Sequence, residues 1–369
     1  MKEKDWFEID NVRETDTPFL AIFPERVKAN IQALLEIIPD TDRLRPHVKT
    51  HKCKQAVALL LELGISKFKC ATIAEAEMLA LAGAPDVLLA YQPVGPGITR
   101  LVNLIASYRF TKFSCLIDNE ETAKELASAA SEQKFNIPVY LDLNVGMNRT
   151  GIAPSDALHL YKRISGIRGI KLVGLHAYDG HITRSDPGVR KIECTEAFRK
   201  VEALRDEITR SGLPRPQINA GSTPTLQQHA DNPEVECSPG TFIYWDRSYQ
   251  ELYTELPFQP AVIVVTRVIS KPGYDTLCLD LGYKALSSES NERQRVHFLN
   301  VPNVKIISQS EEHMLITAED SSELKIGDVL YGVPYHIGRT CNLYQAGSTI
   351  RNHQLDGEWY HSLGRKLSI

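Results

Sequence analysis

The sequence predicts an α/β chain: a (β/α)8 TIM-type barrel followed by a smaller all-β domain. Three observations carry this reading. From about Arg45 to Gly240, eight short β-branched or apolar runs alternate with longer stretches of helical period. After Pro257 the long helical stretches stop, and short alternating runs separated by turn clusters take over. With 369 residues, 43% of them hydrophobic, the chain can bury a large core and divide it between two domains. A count of eight strands favours a closed barrel over an open sheet.

Taken in order, the run Phe19-Leu20-Ala21-Ile22-Phe23 reads as a strand that pairs with the later β domain, so residues 1–24 attach to it. The helix Glu25–Ile38 then opens the barrel, residues 25–256. Its strands are expected at Arg45–Lys49, Phe68–Ala71, Val87–Tyr91, Phe113–Ile117, Pro138–Leu143, Leu172–Tyr178, Gln217–Ala220 and Val235–Cys237. Between them, Ile73–Ala82, Asn119–Glu132, Pro154–Ile164 and Lys191–Ser211 carry helical period. Thr72-Ile73-Ala74-Glu75 fits a capping box and places a helix start at Thr72. Residues 257–369 hold the β runs Ala261–Ile269, Asp275–Leu281, Val296–Phe298, Val304–Ser308, His313–Thr317 and Asp328–Val333, a pattern of a small barrel or sandwich.

Composition narrows the function classes. A net charge of −4 gives no reason to expect nucleic acid or an anionic membrane as partner. No apolar run approaches the roughly 18 residues that span a bilayer, and the start Met1-Lys2-Glu3-Lys4-Asp5-Trp6 lacks the apolar core of a secretory signal. The seven cysteines are scattered, with no Cys-x-x-Cys pair, so neither a disulfide framework nor a cysteine zinc site is suggested. The expectation is a soluble cytoplasmic protein acting on a small molecule.

Barrel enzymes build their sites at the C-terminal ends of the strands. Those ends present Lys49 with His51, Arg149, His176 with Tyr178 and His181, and two turns, Asn219–Thr225 and Ser238–Tyr244. Cationic neighbours and partial desolvation lower an amine's pKa, so a strand-end lysine in Arg45-Pro46-His47-Val48-Lys49-Thr50-His51-Lys52 suits covalent chemistry on a carbonyl. His51, two residues on, is a candidate base. The turns Gly221-Ser222-Thr223-Pro224-Thr225 and Ser238-Pro239-Gly240-Thr241 offer hydroxyls and unhindered N–H groups for a phosphate. A lysine and a phosphate cradle on one barrel imply a phosphorylated aldehyde held as a Schiff base, and pyridoxal 5′-phosphate (PLP) fits.

These residues carry a resemblance. The chain resembles the alanine racemase-type (fold type III) PLP enzymes, and within them the D-threonine aldolase and D-serine dehydratase branch. The matching segments, in family order, are Arg45–Lys52, Val145-Gly146-Met147-Asn148-Arg149-Thr150-Gly151, Gly174–His181, Gly221–Thr225 and Pro239-Gly240-Thr241-Phe242. The resemblance implies that Lys49 holds PLP and that Arg149 approaches its phenolate oxygen or the substrate. It also implies that His176 and Tyr178 lie by the ring, and that Ser222, Thr223, Gly240 and Thr241 bind the phosphate. It further implies a homodimer in which one subunit's β domain covers the other's barrel mouth.

The branch also has a divalent-metal site (Zn or Mn), built from a histidine and, two residues on, a cysteine or aspartate. Here His336 is present, but Gly338 stands at the second position and offers no donor; Cys341 and Arg339 lie close by in sequence. Losing the metal burdens elimination of hydroxide more than retro-aldol cleavage, which needs a base on the β-hydroxyl and an electron sink at Cα. The expected activity is therefore a lyase cleaving D-3-hydroxy amino acids in the manner of D-threonine aldolase. The alternatives are an amino-acid racemase or epimerase and a D-serine dehydratase-like deaminase, both using the same lysine.

Overall fold

A parallel sheet and a largely antiparallel one divide the strands. The structure, a computed structural model, describes residues 4–288, 295–301, 303–319 and 322–369; Met1, Lys2 and Glu3 of the charged start lie outside them. The chain forms two units, residues 34–240 with 364–369, and residues 1–33 with 241–363. One strand of the second unit, β1 (Phe19–Ile22), comes first in the chain.

The parallel sheet follows in chain order: β2 (Lys67–Cys70), β3 (Asp86–Leu89), β4 (Lys112–Ile117), β5 (Ile137–Asp142), β6 (Ile170–Ala177), β7 (Gln217–Ala220) and β8 (Val235–Cys237). The eighth position differs from the expected strand Arg45–Lys49. Leu44 and His47 make single parallel bridges to Cys237 and Lys69. The N–H groups of Arg45 and His47 donate to Cys237 O (2.8 Å) and Pro239 O (2.9 Å), and Lys69 N–H donates to Pro46 O (2.9 Å). This segment thus joins β8 to β2 and closes the ring. It stays short because Pro46 has no N–H to give a ladder. His47 Nδ1 then accepts the Lys49 N–H at 3.1 Å and caps a 3-10 turn over Val48–Thr50. Lys49 sits on that turn, not on a strand.

Helices cover the outside of the ring. At Thr72 the expected cap forms: its hydroxyl accepts the Glu75 N–H at 3.0 Å, and the Glu75 carboxylate reaches back to the Ala71 N–H at 2.7 Å. Phe68, Cys70, Val139, Leu141, Leu175, Ile218 and Cys237 are all buried. Alternate residues of the same strands include polar groups that bond across the interior. Lys69 on β2 reaches Asn219 on β7 at 3.1 Å, and Tyr140 on β5 reaches Gln217 on β7 at 3.3 Å.

Arg45 anchors the closing segment inside the ring. Its Nε and Nη2 meet Glu236 Oε1 (2.5 Å) and Oε2 (3.3 Å), and its Nη1 meets Asp86 Oδ1 at 2.6 Å. A bidentate pair of this kind is strong only while both partners stay. Arg45→Met is expected to cost roughly 3–5 kcal/mol, because Glu236 is then left with Asn219 Nδ2 at 3.0 Å and Lys67 at 3.5 Å, and Asp86 with the exposed Lys112; urea denaturation of the parent and variant measures it.

The other unit is a nine-stranded sheet built on β9 (Val262–Ser270), which pairs with β1 and later strands. These are β10 (Thr276–Leu279), β11 (Val296–Phe298), β12 (Lys305–Gln309), β13 (Met314–Thr317), β14 (Val329–Pro334), β15 (Ala346–Arg351) and β16 (Gln354–Tyr360). The order is β12-β13-β10-β9-β1-β15-β16, with β14 also on β9 and β11 on β14. β1 runs parallel to β15 and antiparallel to β9. Phe7, Ile9, Val12, Phe23, Ile263, Val265, Tyr331 and Val333 pack into one core on this sheet. No helix among the described residues is long and apolar enough to cross a membrane.

Candidate active site

A cavity of about 520 Å³ opens among the strand ends of the parallel ring, a volume suited to a cofactor-sized ligand. Lys49, Arg149, His176 and Tyr178 line it together. Tyr178 is the centre of the arrangement. Lys49 Nζ and Lys69 Nζ each lie 5.5 Å from its ring centroid, and Arg149 Cζ lies 5.4 Å away. Three basic side chains thus surround one phenol within the cavity. Gly180 permits this placement: a Cβ there would fall 2.3 Å from the Tyr178 hydroxyl.

His176 is oriented by Asp142, whose Oδ1 lies 2.7 Å from its Nδ1. Burial, and then the charge of Lys69, lower the His176 pKa, so the ring is neutral. With Nδ1–H given to Asp142, Nε2 carries the lone pair, and this buried atom has no hydrogen-bond partner among the described residues. Asp142 is held further by Thr150 Oγ1 and Gln92 Nε2, each at 2.8 Å. Burial alone would raise its pKa, but these bonds and His176 bring it below the usual carboxylate range.

Two further lining residues, His47 of the Arg45–Lys52 run and Lys69, were not among the site candidates. His47 is buried; desolvation and then Lys49 and Lys69 depress its pKa well below the ordinary imidazole value. Lys69 is 2% exposed, and its Nζ donates to Asn219 Oδ1 at 3.1 Å. Burial, followed by the charge of Lys49, lowers its pKa to about 7 against the pull of Asp142, Asp179 and Glu236. The available signal was position, since Lys69 stands at the C-terminal end of a barrel strand.

Other candidates fall outside the cavity lining. His51 is buried, and its Nδ1 accepts the Cys53 N–H at 3.2 Å. Ser222, Thr223 and Gly240 follow β7 and β8, on the same strand-end rim as Lys49. The two turns bond to each other, with Gly240 N–H donating to Thr223 Oγ1 at 3.0 Å. Ser222 N–H donates to Thr225 Oγ1 at 2.9 Å. Thr241 opens a 3-10 turn, Thr241–Ile243, in the other unit. There too, His336 caps the helix Ile337–Cys341, and its Nδ1 accepts the Arg339 N–H at 3.3 Å. Among the described residues, His336 belongs to no group of three metal-capable donors.

Comparison with known proteins adds lineage. Residues 22–248 match the family model described as "Alanine racemase, N-terminal domain", and residues 261–349 match the one described as "Putative serine dehydratase domain". D-threonine aldolase of an Arthrobacter species is 27% identical over 95% of this chain and 93% of its own length. The 3-hydroxy-D-aspartate aldolase of Paracoccus denitrificans is 25% identical, covering 94% of this chain and 91% of that one. The solved structure of D-threonine aldolase from Filomicrobium marinum matches with a TM-score of 0.88 at 24% identity, covering 97% of this chain and 98% of that chain. At that identity the match speaks for the fold.

Proposed function

This chain belongs to the alanine racemase N-terminal domain family, and from that premise we propose that it is a PLP-dependent lyase cleaving D-3-hydroxy amino acids by retro-aldol reaction. One observation supports this above the rest: Lys49, Lys69 and Arg149 surround Tyr178 in a single cavity. The residues suit PLP. The Lys49 and Arg149 cations suit its phenolate, and His176 Nε2 offers an acceptor. Lys49 would hold the aldehyde carbon, His176 and Tyr178 would flank the ring, and Ser222, Thr223, Gly240 and Thr241 would take the phosphate.

PLP, when bound, supplies an electron sink for the pair released at the substrate's α carbon. The chain supplies the rest. Arg149 binds a carboxylate through its planar fork. The proton of the β-hydroxyl needs a base near neutrality inside the cavity. The sequence offers His51 or a group near His336 as that base, and His51 does not line the cavity. Lys69 Nζ, its pKa lowered to about 7 by burial, suits that role. Cleavage of D-threonine then yields glycine and acetaldehyde.

The test incubates the full-length protein and PLP with D-threonine and with 3-hydroxy-D-aspartate, with and without chelator. Equimolar glycine and aldehyde are expected, with kcat/KM rising through a limb near pH 7 as Lys69 loses its proton. Ammonia with a 2-oxo acid would replace this reading with a dehydratase. Solvent deuterium at Cα without cleavage would replace it with a racemase.

A further inference from the structure

We propose that Asp179, Cys194 and His229 form a site for one divalent ion of the zinc class, behind the cavity and separate from His336. Asp179 lies in the turn after β6, Cys194 on the helix Pro187–Arg210, and His229 on the short helix Leu226–Ala230. All three side chains are buried. Their donor atoms form a triangle: His229 Nε2 to Asp179 Oδ2 is 2.8 Å, Cys194 Sγ to His229 Nε2 is 3.4 Å, and Cys194 Sγ to Asp179 Oδ2 is 3.9 Å. Tetrahedral zinc with bonds of about 2.0–2.3 Å needs donor separations of roughly 3.3–3.7 Å. The triangle averages close to that, and a small swing of the imidazole admits the ion.

The arrangement argues against a nucleophile triad. In a relay, the two ring nitrogens face different partners. Here one nitrogen, Nε2, faces both the thiol and the carboxylate. A second observation points to a ligand. Asp179 Oδ1 is buried and, among the described residues, has no hydrogen-bond partner; Asp179 is 3% exposed. A buried carboxylate oxygen in this condition calls for a water or an ion. A small cavity, lined by Val145, Ala177, Ala197 and the three residues themselves, adjoins it. Oδ1 or a water there completes the fourth position.

Charge favours the assignment. Cys194 binds a metal as its thiolate, so a proton leaves as the ion enters. Binding exchanges that proton for the ion: Cys194–SH and M²⁺ give the metal thiolate and H⁺. Thiolate, carboxylate and dication then sum to zero in a buried place. A thiolate beside an imidazole selects zinc over magnesium or calcium. The ion ties together the turn beside Tyr178, a long helix, and the helix that follows the Gly221–Thr225 turn, so its role is to brace the cavity wall.

The experiment strips full-length protein with chelator and restores Zn²⁺ or Co²⁺. The cobalt-minus-zinc difference spectrum cancels any cofactor colour. One cobalt per chain is expected, with a thiolate-to-cobalt charge-transfer band that persists in His336→Ala and is lost in Cys194→Ala and His229→Gln. Zinc is expected to raise Tm in the parent and not in Cys194→Ala. Absence of the band from the parent overturns the proposal without any variant, as does its survival in Cys194→Ala or its loss in His336→Ala.

Discussion

Lys49→Ala is expected to remove the visible absorbance of protein incubated with PLP and to lower lyase activity by about 10³-fold or more, the scale of losing a covalent group that works with its neighbours as a unit. The geometry sharpens this expectation, because the cavity holds a second amine. Lys49 is exposed on a 3-10 turn, where its aliphatic stem can swing, whereas Lys69 is buried and bonded to Asn219. An aldehyde entering from solvent therefore meets Lys49 first. Borohydride reduction followed by peptide mapping reads the outcome directly: the pyridoxyl mass is expected on the peptide of Lys49. Lys52→Ala serves as control, since Lys52 Nζ turns to Glu75 Oε1 at 3.6 Å. A label on Lys69 in the parent, or undiminished colour in Lys49→Ala, would refute the assignment.

Much of this was legible in the chain because local chemistry and the final fold agree. The capping box at Thr72 is local, so its reading needs no tertiary information. The strands β7 and β8 appear where apolar and β-branched runs meet turn residues. The parts that escaped notice are those where the neighbourhood, not the residue, decides. Arg45–Lys49 reads as a strand from its flanks, yet Pro46 gives no ladder N–H and His47 caps the next turn. Lys67-Phe68-Lys69-Cys70 alternates like a half-solvated strand, and solvent is the ordinary destination of a lysine. In a closed ring the alternate face points inward, so Lys69 is buried and Asn219 receives it. β15 escaped for another reason. Ala346-Gly347-Ser348 has little β-propensity, but a Cβ at Gly347 would lie 2.6 Å from Ile22 Cδ1, so the close parallel pairing with β1 demands the glycine. The Asp179, Cys194 and His229 cluster comes from three separated segments, and no spacing rule joins them.

Lys69→Met is expected to make the protein more stable and less active, with the stability gain confined to a defined pH range. An unfolded chain leaves this amine at an ordinary value near 10.5, while burial and the charge of Lys49 bring it to about 7 in the folded state. Between these values the unfolded chain binds a proton that the folded chain does not. Stability of the parent therefore rises as pH climbs from about 7 to about 10.5, and falls to its floor below 7. The shift corresponds to roughly 4–5 kcal/mol at neutral pH. Methionine escapes that cost and keeps much of the volume, but it gives up the bond to Asn219, worth about 1 kcal/mol. Asn219 Oδ1 still accepts from Ser238 Oγ at 3.1 Å, so it is not orphaned. The expected net gain is roughly 2–4 kcal/mol at pH 7, shrinking toward zero by about pH 10.5. Urea denaturation of both proteins at the two pH values measures it. Activity provides the second arm: loss of the base at Nζ is expected to lower kcat by about 10²–10⁴-fold and to remove the limb near pH 7. A stabilised variant with full activity would leave Lys69 a buried burden without a chemical role. A destabilised one would mean that the amine is charged and paired in the folded state.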